Sequence, residues 1–456
     1  MKIAIINPPD IGVRSKDWFS KTPYLGIAYI AAFLYNNEFD VKVIDCKLQN
    51  ITLRKLFNIL TIIKPDILSF SLTTPDIHKV HLFCKDIKAK IKDTKIVVGG
   101  PHPTVMPYQT LKDYEAFDIA VVGEGEIVFS NVVSAILNNI CLENIKGISF
   151  RNSSDIIVTE KREELNLDSL PFPAWELFPK ADTYPVLISK GCPHNCVFCS
   201  LARTKIRRRE PQKIVDEILY LIDNFKVKKI NFSEENFGIN QGKTQELLNL
   251  MISNKIHTKI KWRCITRVDI LKHLMNQKIL QLMKDAGCEG IALGIESGDE
   301  RILKQIGKNT NINTIKEAID ITKRFKIDVS AQYVIGLPYE NLNSVNSTVD
   351  LAVKLNCKFT NFNPLVPYPE TQVFKMAEYG EGEYNFLYKT KKEIIENIEE
   401  CIELKNLKKD QLRKIPFLAK LKFYLYNLRI FELIVFLWEH KVPLAKFMLK
   451  KVLLLK

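Results

Sequence analysis

The stretch GCPHNCVFCS, residues 191–200, sets cysteines at 192, 196 and 199 in one short loop, and its reading decides the second half of the chain. It follows PVLISKG, a short apolar run of the kind that forms a buried strand. A structural zinc site takes four ligands, usually as two separated C-x2-C pairs. Here the spacing is C-x3-C-x2-C and no fourth cysteine is near, so zinc would need His194 or water to complete its shell. An iron–sulfur cube suits the spacing better. Three irons take one thiolate each, from Cys192, Cys196 and Cys199, and the fourth iron stays open for another ligand.

Working outward, the runs PVLISKG, KKINFSE, IKWRCITR, GIALGIES, VSAQYVIGLP and FTNFNPLVPYP read as six strands separated by helical stretches. Six units are too few for a full eight-fold barrel, so residues 183–385 are expected to form a partial (β/α)6 TIM-like barrel. In such barrels the functional residues gather at the C-terminal ends of the strands. Residues 1–150 show the same α/β rhythm, with KIAIINPP, VKVIDC, ILSFSL, KIVVGG and AFDIAVVGEGE as nearly continuous apolar strands. That pattern predicts a doubly wound, Rossmann-like domain with ligands at the carboxyl ends of its strands. Those ends read NPP (7–9), SLTTP (71–75), GGPHP (99–103) and GEGE (123–126). Residues 151–182 are polar and contain prolines, as a surface linker would. Residues 386–456 turn helical, basic and apolar.

The cysteine loop, with Phe198 before its last cysteine, resembles the signature of the radical S-adenosylmethionine superfamily. The resemblance implies a [4Fe-4S] cluster whose open iron is chelated by the amino and carboxylate groups of S-adenosylmethionine. The reduced cluster then splits the sulfonium to a 5′-deoxyadenosyl radical. The later strand ends match the same family in order. FSEEN (232–236) offers Glu234 and Glu235 for the amino group, although the family's Gly-Gly-Glu form is absent. WRCITRVD (262–269) offers Arg263 and Arg267 at the third strand end for the carboxylate. GIESG (294–298) resembles the ribose-contacting segment through Glu296, and VIGLP (334–338) the segment framing the adenine through Ile335 and Gly336. PYPET (367–371) resembles a Pro-x-Pro-Gly-Thr turn with Glu370 in place of the glycine.

The first 150 residues resemble the cobalamin-binding domain fused to many radical S-adenosylmethionine enzymes, which include class B methyltransferases and the anaerobic porphyrin-ester cyclase. The resemblance implies cobalamin contacts from Pro8, Pro9, Ser71, Thr73, Gly99, Gly100, Pro101, His102, Gly123 and Glu124. Domains that ligate cobalt through histidine carry Asp-x-His-x-x-Gly after the first strand. Here that loop is NPPDIGVRS, without histidine, which implies cobalt with no histidine beneath it. Methylthiotransferases offer a rival reading, with a second cluster on Cys46, Cys84 and Cys141. Buried free cysteine is also a common small hydrophobe.

The chain has ten cysteines and its start, MKIAIINPPD, runs straight into a strand rather than a secretory signal, so a cytoplasmic protein without disulfides is expected. The net charge of +14 suggests nucleic acid at first sight. From Lys405 onward, however, thirteen Lys/Arg face three Asp/Glu, a net +10, and the remainder is near neutral. No nucleic-acid footprint is therefore expected. The apolar run from Ile430 to Trp438 is interrupted by Glu432 and too short to span a bilayer, which takes about 20 residues. The tail is either a helical lid on the barrel or a peripheral membrane contact. The expected function is radical methylation of an unactivated carbon of a small-molecule, lipid or peptide substrate. It would be fed by a low-potential electron donor, with a second S-adenosylmethionine remethylating cobalamin. A cobalamin-dependent cyclisation or rearrangement, a methylthiotransferase and a non-catalytic cobalamin or redox sensor are the alternatives.

Overall fold

The computed structural model describes residues 1–9, 22–153, 155–276 and 278–440. Most of the loop after the first strand and residues 441–456, which carry part of the expected membrane contact, lie outside them.

The first sheet has seven strands in the order β2-β1-β3-β4-β5-β6-β7. They are β1 (Lys2–Asn7), β2 (Asp40–Asp45), β3 (Ile67–Ser71), β4 (Lys95–Gly99), β5 (Ile119–Val121), β6 (Ile148–Asn152) and β7 (Asp155–Val158). The first five are parallel, as their doubly buried apolar runs require. The order 2-1-3-4-5 reverses between β1 and β3, so the ligand crevice of this fold opens at the ends of those two strands. Pro8 and Pro9 follow β1 there, Ser71 ends β3 and Thr73 follows it. The antiparallel strands β6 and β7 extend the same sheet to Val158. Residues 151–152 and 155–158 therefore belong to the sheet, rather than to the polar linker expected from residue 151 on.

The second sheet is the expected partial barrel. Its strands are β8 (Thr183–Leu187), β11 (Lys229–Ser233), β12 (Lys261–Arg267), β13 (Cys288–Glu296), β14 (Asp328–Ile335) and β15 (Phe359–Pro364). They lie in chain order and all neighbours are parallel. Two short strands, β9 (Ser189–Lys190) and β10 (Arg207–Arg208), pair antiparallel just beyond β8 and close the base of the cysteine loop. A second small ladder joins β16 (Tyr384–Phe386) to β17 (Ile402–Leu404), so the region after 386 is not wholly helical.

The helix Lys409–Tyr426 lies along β15, the open edge of the barrel, and the helix Ile430–Glu439 packs on it. This covers an edge that would otherwise expose unpaired backbone groups. The lid reading of the tail thus holds as far as residue 440. No helix among the described residues is long and apolar enough to cross a membrane.

Candidate active site between two domains

The cysteine loop leaves β9 through Gly191, at φ +98°, and returns at Lys205. A side chain at 191 is impossible without rearrangement, because a Cβ there would stand 2.0 Å from the Lys205 carbonyl oxygen. Thr204 N donates to Cys192 O and Cys192 N to Thr204 Oγ1, both at 2.9 Å, which pins the two arms together. Val197 N reaches Ile306 O at 3.3 Å, and Val373 N reaches Val197 O at 3.0 Å, so the turn is anchored on two neighbouring loops. Cys192 and Cys196 are buried and Cys199 is half-buried.

Two side chains already address the sulfurs. Asn236 Nδ2 donates to Cys192 Sγ at 3.1 Å, and Arg267 Nη1 to Cys196 Sγ at 3.0 Å. Charged and amide donors on cysteine sulfur suit thiolates that carry negative charge. Burial, with the other two thiols, raises the Cys199 pKa, and a cationic cluster core would relieve both. Among the described residues no group of three side chains is gathered tightly enough for a single metal ion. A cluster is bulkier than one ion, so its thiolates stand further apart. The donor set fits a three-thiolate cluster. The imidazole of His194, which zinc would need, is pushed below its usual pKa by burial and by Arg267, and its Nε2 is buried without a partner.

The expected S-adenosylmethionine residues divide. Glu234, past the end of β11, accepts from Ser189 Oγ at 2.9 Å and from Arg208. Its Oε2 is buried without a hydrogen bond, and so is Oε2 of Glu235. Burial lifts the Glu234 carboxyl to about 7 against the pull of Arg208, and raises Glu235 as well. Two orphaned acceptors beside the cysteine loop fit a cationic amino group. Glu296 ends β13 at φ +67°, past a register shift, and pairs with Lys308 at 2.8 Å with both side chains buried. A left-handed glutamate at a strand end is the kind of backbone strain that functional sites retain. Ile335 is buried, and Gly336 turns at φ +98° with its N–H on Glu340 Oε2 at 2.6 Å. Phe198 packs against the core beside the cysteines.

Arg263 does not belong with this group. β12 begins at Lys261, so Arg263 lies near its start and pairs with Glu289 at 2.5 Å. Four residues of strand, about 13 Å, separate it from Arg267. Arg267 alone reaches the mouth, where Asp269 holds its Nε and Nη2 at 2.9 Å each.

In the first domain, Gly100 turns at φ +96° so tightly that a Cβ would come within 2.9 Å of Leu72 backbone and Ser71 Oγ. This draws the ends of β3 and β4 together beside Gly99 and Pro101. Ser71 Oγ donates to Tyr24 Oη at 3.3 Å and Thr73 Oγ1 to Asp76 at 2.5 Å. Gly123, at φ +83°, has open space where a side chain would be. Small residues and open backbone at the strand ends of the crevice fit a large, flat cofactor. Two of the expected residues have their side chains engaged elsewhere. The His102 ring is buried, held on Thr74 Oγ1 at 3.0 Å, and kept neutral by burial with its pKa near 4. It braces two strand ends rather than facing a ligand.

Glu124 turns to the barrel instead. Its carboxylate takes Lys190 Nζ at 2.8 Å, Arg207 Nη2 at 2.7 Å and Arg207 Nη1 at 3.1 Å, and Glu126 adds a second contact to Lys190 at 3.2 Å. Burial pushes the Glu124 carboxyl up, but Arg207 and Lys190 outweigh it and hold it at about 2. Lys190 stands two residues before Cys192, so the end of β5, the last parallel strand of the first sheet, grips the root of the cysteine loop. Arg209 adds a second link, from buried Glu217 at 2.5 Å to Tyr29 of the first domain at 3.5 Å. Asn236, Arg208, Lys308 and Asp269 escaped the sequence reading, although Asn236 closes the quoted FSEEN. Cys46 and Cys84 are buried, each with its thiol pKa raised mainly by burial, and Cys141 is exposed.

Comparison with known proteins agrees with both halves. Residues 186–352 match the Radical SAM superfamily and residues 19–133 the B12 binding domain. An uncharacterized methyltransferase of Pyrococcus horikoshii is 29% identical over 436 residues, 93% of each chain. The anaerobic magnesium-protoporphyrin IX monomethyl ester cyclase of Cereibacter sphaeroides is 28% identical over 386 residues, 80% of this chain and 63% of that one. Among solved structures, the radical S-adenosylmethionine methyltransferase TsrM from Kitasatospora setae, with tryptophan and an S-adenosylmethionine analogue bound, aligns with a TM-score of 0.68. It shares 15% identity and covers 85% of this chain and 79% of its own. The chain thus carries a B12-binding domain followed by a Radical SAM domain, the pairing that it shares with the cobalamin-dependent radical S-adenosylmethionine enzymes to which it is similar.

Proposed function

We propose that the protein methylates an unactivated carbon of a small-molecule substrate, using S-adenosylmethionine and cobalamin. The observation that supports this reading is the grip of Glu124 on Lys190 and Arg207, which ties the strand end after β5 to the root of the cysteine loop. Bound there, the cluster and S-adenosylmethionine supply a carbon-centred radical and cobalamin a transferable methyl group; the cofactors carry the hard chemistry.

The chain's own residues bind, orient and exclude. Cys192, Cys196 and Cys199 would hold the cluster, with Asn236 and Arg267 on two of the sulfurs. Glu234 and Glu235 would receive the amino group of S-adenosylmethionine, Glu296 on its Lys308 support the ribose, and the turn at Ile335 and Gly336 the adenine. The crevice edges Pro8, Pro9, Ser71, Thr73, Gly99, Gly100, Pro101 and Gly123 would embrace the corrin through backbone and small side chains. The helix Lys409–Tyr426 closes the open barrel edge against water.

Similarity to the P. horikoshii methyltransferase over nearly the whole chain supports methylation. Cyclisation is the second reading, favoured by the 28% identity to the porphyrin-ester cyclase. The test uses anaerobically reconstituted, cobalamin-loaded protein with S-adenosylmethionine and dithionite. Cluster-dependent 5′-deoxyadenosine, abolished by Cys196→Ala, with cobalt retained, is expected. Cleavage that persists without the cysteine, or loss of all cobalt on washing, overturns the assignment. Product mass separates gain of one carbon from loss of hydrogen.

Peripheral membrane contact is part of the same reading. Phe431 and Trp438 are 76% and 80% exposed on the last described helix, ahead of the lysine-rich terminus. Co-sedimentation with anionic but not neutral vesicles is expected, and equal recovery from both refutes it.

A further inference from the structure

A cavity of about 920 Å³ lies between Pro75, past the end of β3, and the ends of β14 and β15. Ile335, Gly336 and Asn363 form its barrel side, and the two C-terminal helices form its outer wall. Its size suits a small organic ligand. The outer wall is aromatic: the Phe417 and Phe436 rings stack at 5.1 Å and Tyr424 meets Phe436 edge-on at 5.6 Å.

One cation in this wall lacks a matching charge. Lys420 Nζ donates to the Thr360 carbonyl and to Asn361 Oδ1, the latter at 2.9 Å, and both acceptors are neutral. An ammonium has three donors, so one is left. Among the described residues no carboxylate lies within ion-pair distance of Lys420, and Glu439 acts on it only at longer range. Burial, reinforced by Arg429, pulls the lysine down to about 8. A cation set into a wall without a counter-charge is costly unless something supplies one. Of the glutamates on the cavity, Glu396 meets His78 at 3.0 Å and Glu400 meets Lys409 at 3.3 Å, while Glu399, Glu432 and Glu439 are exposed to solvent. The unmatched charge withdrawn from solvent in this cavity is therefore the positive one of Lys420.

We propose that this cavity is the substrate site of the reaction inferred above, on which it rests, and that Lys420 selects substrates bearing a carboxylate on an apolar, ring-containing body. The carboxylate takes the third donor of Lys420, and the rings lie along Phe417, Tyr424 and Phe436. The rest of the body is then directed toward Gly336 and Pro75, where the barrel mouth and the first domain meet.

Equilibrium dialysis of the cluster- and cobalamin-loaded protein against 1-pyrenebutyrate and 1-pyrenebutanol tests this without turnover. The acid is expected to bind about tenfold more tightly than the alcohol, a difference of ~1.4 kcal/mol. Lys420→Met should erase the preference while the alcohol still binds, which also reports an intact cavity, and Lys420→Arg should keep it. Equal binding of acid and alcohol to the wild type overturns the proposal. So does a preference that survives in Lys420→Met, or binding of neither probe. Should Lys420→Met fail to fold, Lys420→Gln in the same dialysis decides the question. Substrate-free cleavage of S-adenosylmethionine by the wild type reports on the proposed function separately. Cleavage with no acid preference sinks only the substrate assignment, and an acid preference without cleavage sinks only the reaction.

Discussion

Arg267 donates to the Cys196 sulfur at 3.0 Å while Asp269 holds the other edge of the same guanidinium through two bonds of 2.9 Å. The arginine is thus pre-oriented on the cysteine loop before any ligand arrives. Hydrogen bonds and positive charge at cluster sulfurs favour the reduced state. Arg267→Ala is expected to make the cluster harder to reduce, by about 59 mV if the donor favours the reduced state tenfold. Asp269→Asn should give a smaller shift in the same direction, because the guanidinium stays but is less well held. Redox titration followed by electron paramagnetic resonance checks both. An unchanged potential in Arg267→Ala would mean that the arginine leaves the sulfur when the cluster is present.

Glu124 is expected to stabilise the domain pairing above the acid range. Its folded pKa, about 2, lies below the ordinary 4.5, so its contribution is full above about pH 4.5 and is lost as pH falls toward 2. Glu124→Gln should cost roughly 1–3 kcal/mol at neutral pH, as a partly buried charge-assisted contact does. It should also flatten that acid limb. Urea midpoints of both proteins at pH 7 and pH 3.5 give the comparison; equal differences at the two pH values refute the assignment.

How far this site could be read in advance depended on the range of the interactions. The strands of both sheets were legible because doubly buried parallel strands need unbroken apolar runs. The cluster was legible because its ligands share one loop. Arg263 was misplaced because β12 begins at Lys261, which puts Arg263 near the base of the strand beside Glu289 and only Arg267 at its C-terminal end. Glu124 was misread because its partners, Lys190 and Arg207, lie 66 and 83 residues away. Glu370 stands where the resembling turn has glycine, and it sits at φ +64°, the conformation glycine would have supplied. There the fold overrides a local preference worth about 1 kcal/mol.

Glu340 gives a pH dependence of the opposite sign. Burial lifts its carboxyl to about 7, although the Gly336 and Leu337 amides pull it down. A folded pKa above the ordinary 4.5 means that the folded state prefers the proton. The contribution of Glu340 is therefore full below about pH 4.5 and declines until about pH 7. Glu340→Gln, permanently neutral and still able to accept from both amides, should lose little between pH 5 and pH 8. The wild type should lose ~1–3 kcal/mol more than the variant over that interval. Parallel curves from urea denaturation would show that Glu340 is not buried as described.

Gly191 offers the sharpest test of the cysteine loop. A Cβ at this position meets the Lys205 oxygen at 2.0 Å and its carbonyl carbon at 2.8 Å, both backbone atoms that cannot rotate aside. The residue also turns at φ +98°, where an L side chain is strained. Gly191→Ala must therefore push apart the two arms that Thr204 and Cys192 pin together. Overpacking of this kind costs about 1–3 kcal/mol, and here it falls on the loop rather than on the sheet. The expected result is a protein with wild-type circular dichroism but little iron after anaerobic reconstitution. Gly123→Ala is the control, since it too has positive φ, at +83°, but meets nothing within 4 Å. It should take up iron as the wild type does. Full iron in Gly191→Ala would show that the loop has another way to close, whereas equal iron loss in both variants would point to backbone strain rather than to the contact with Lys205.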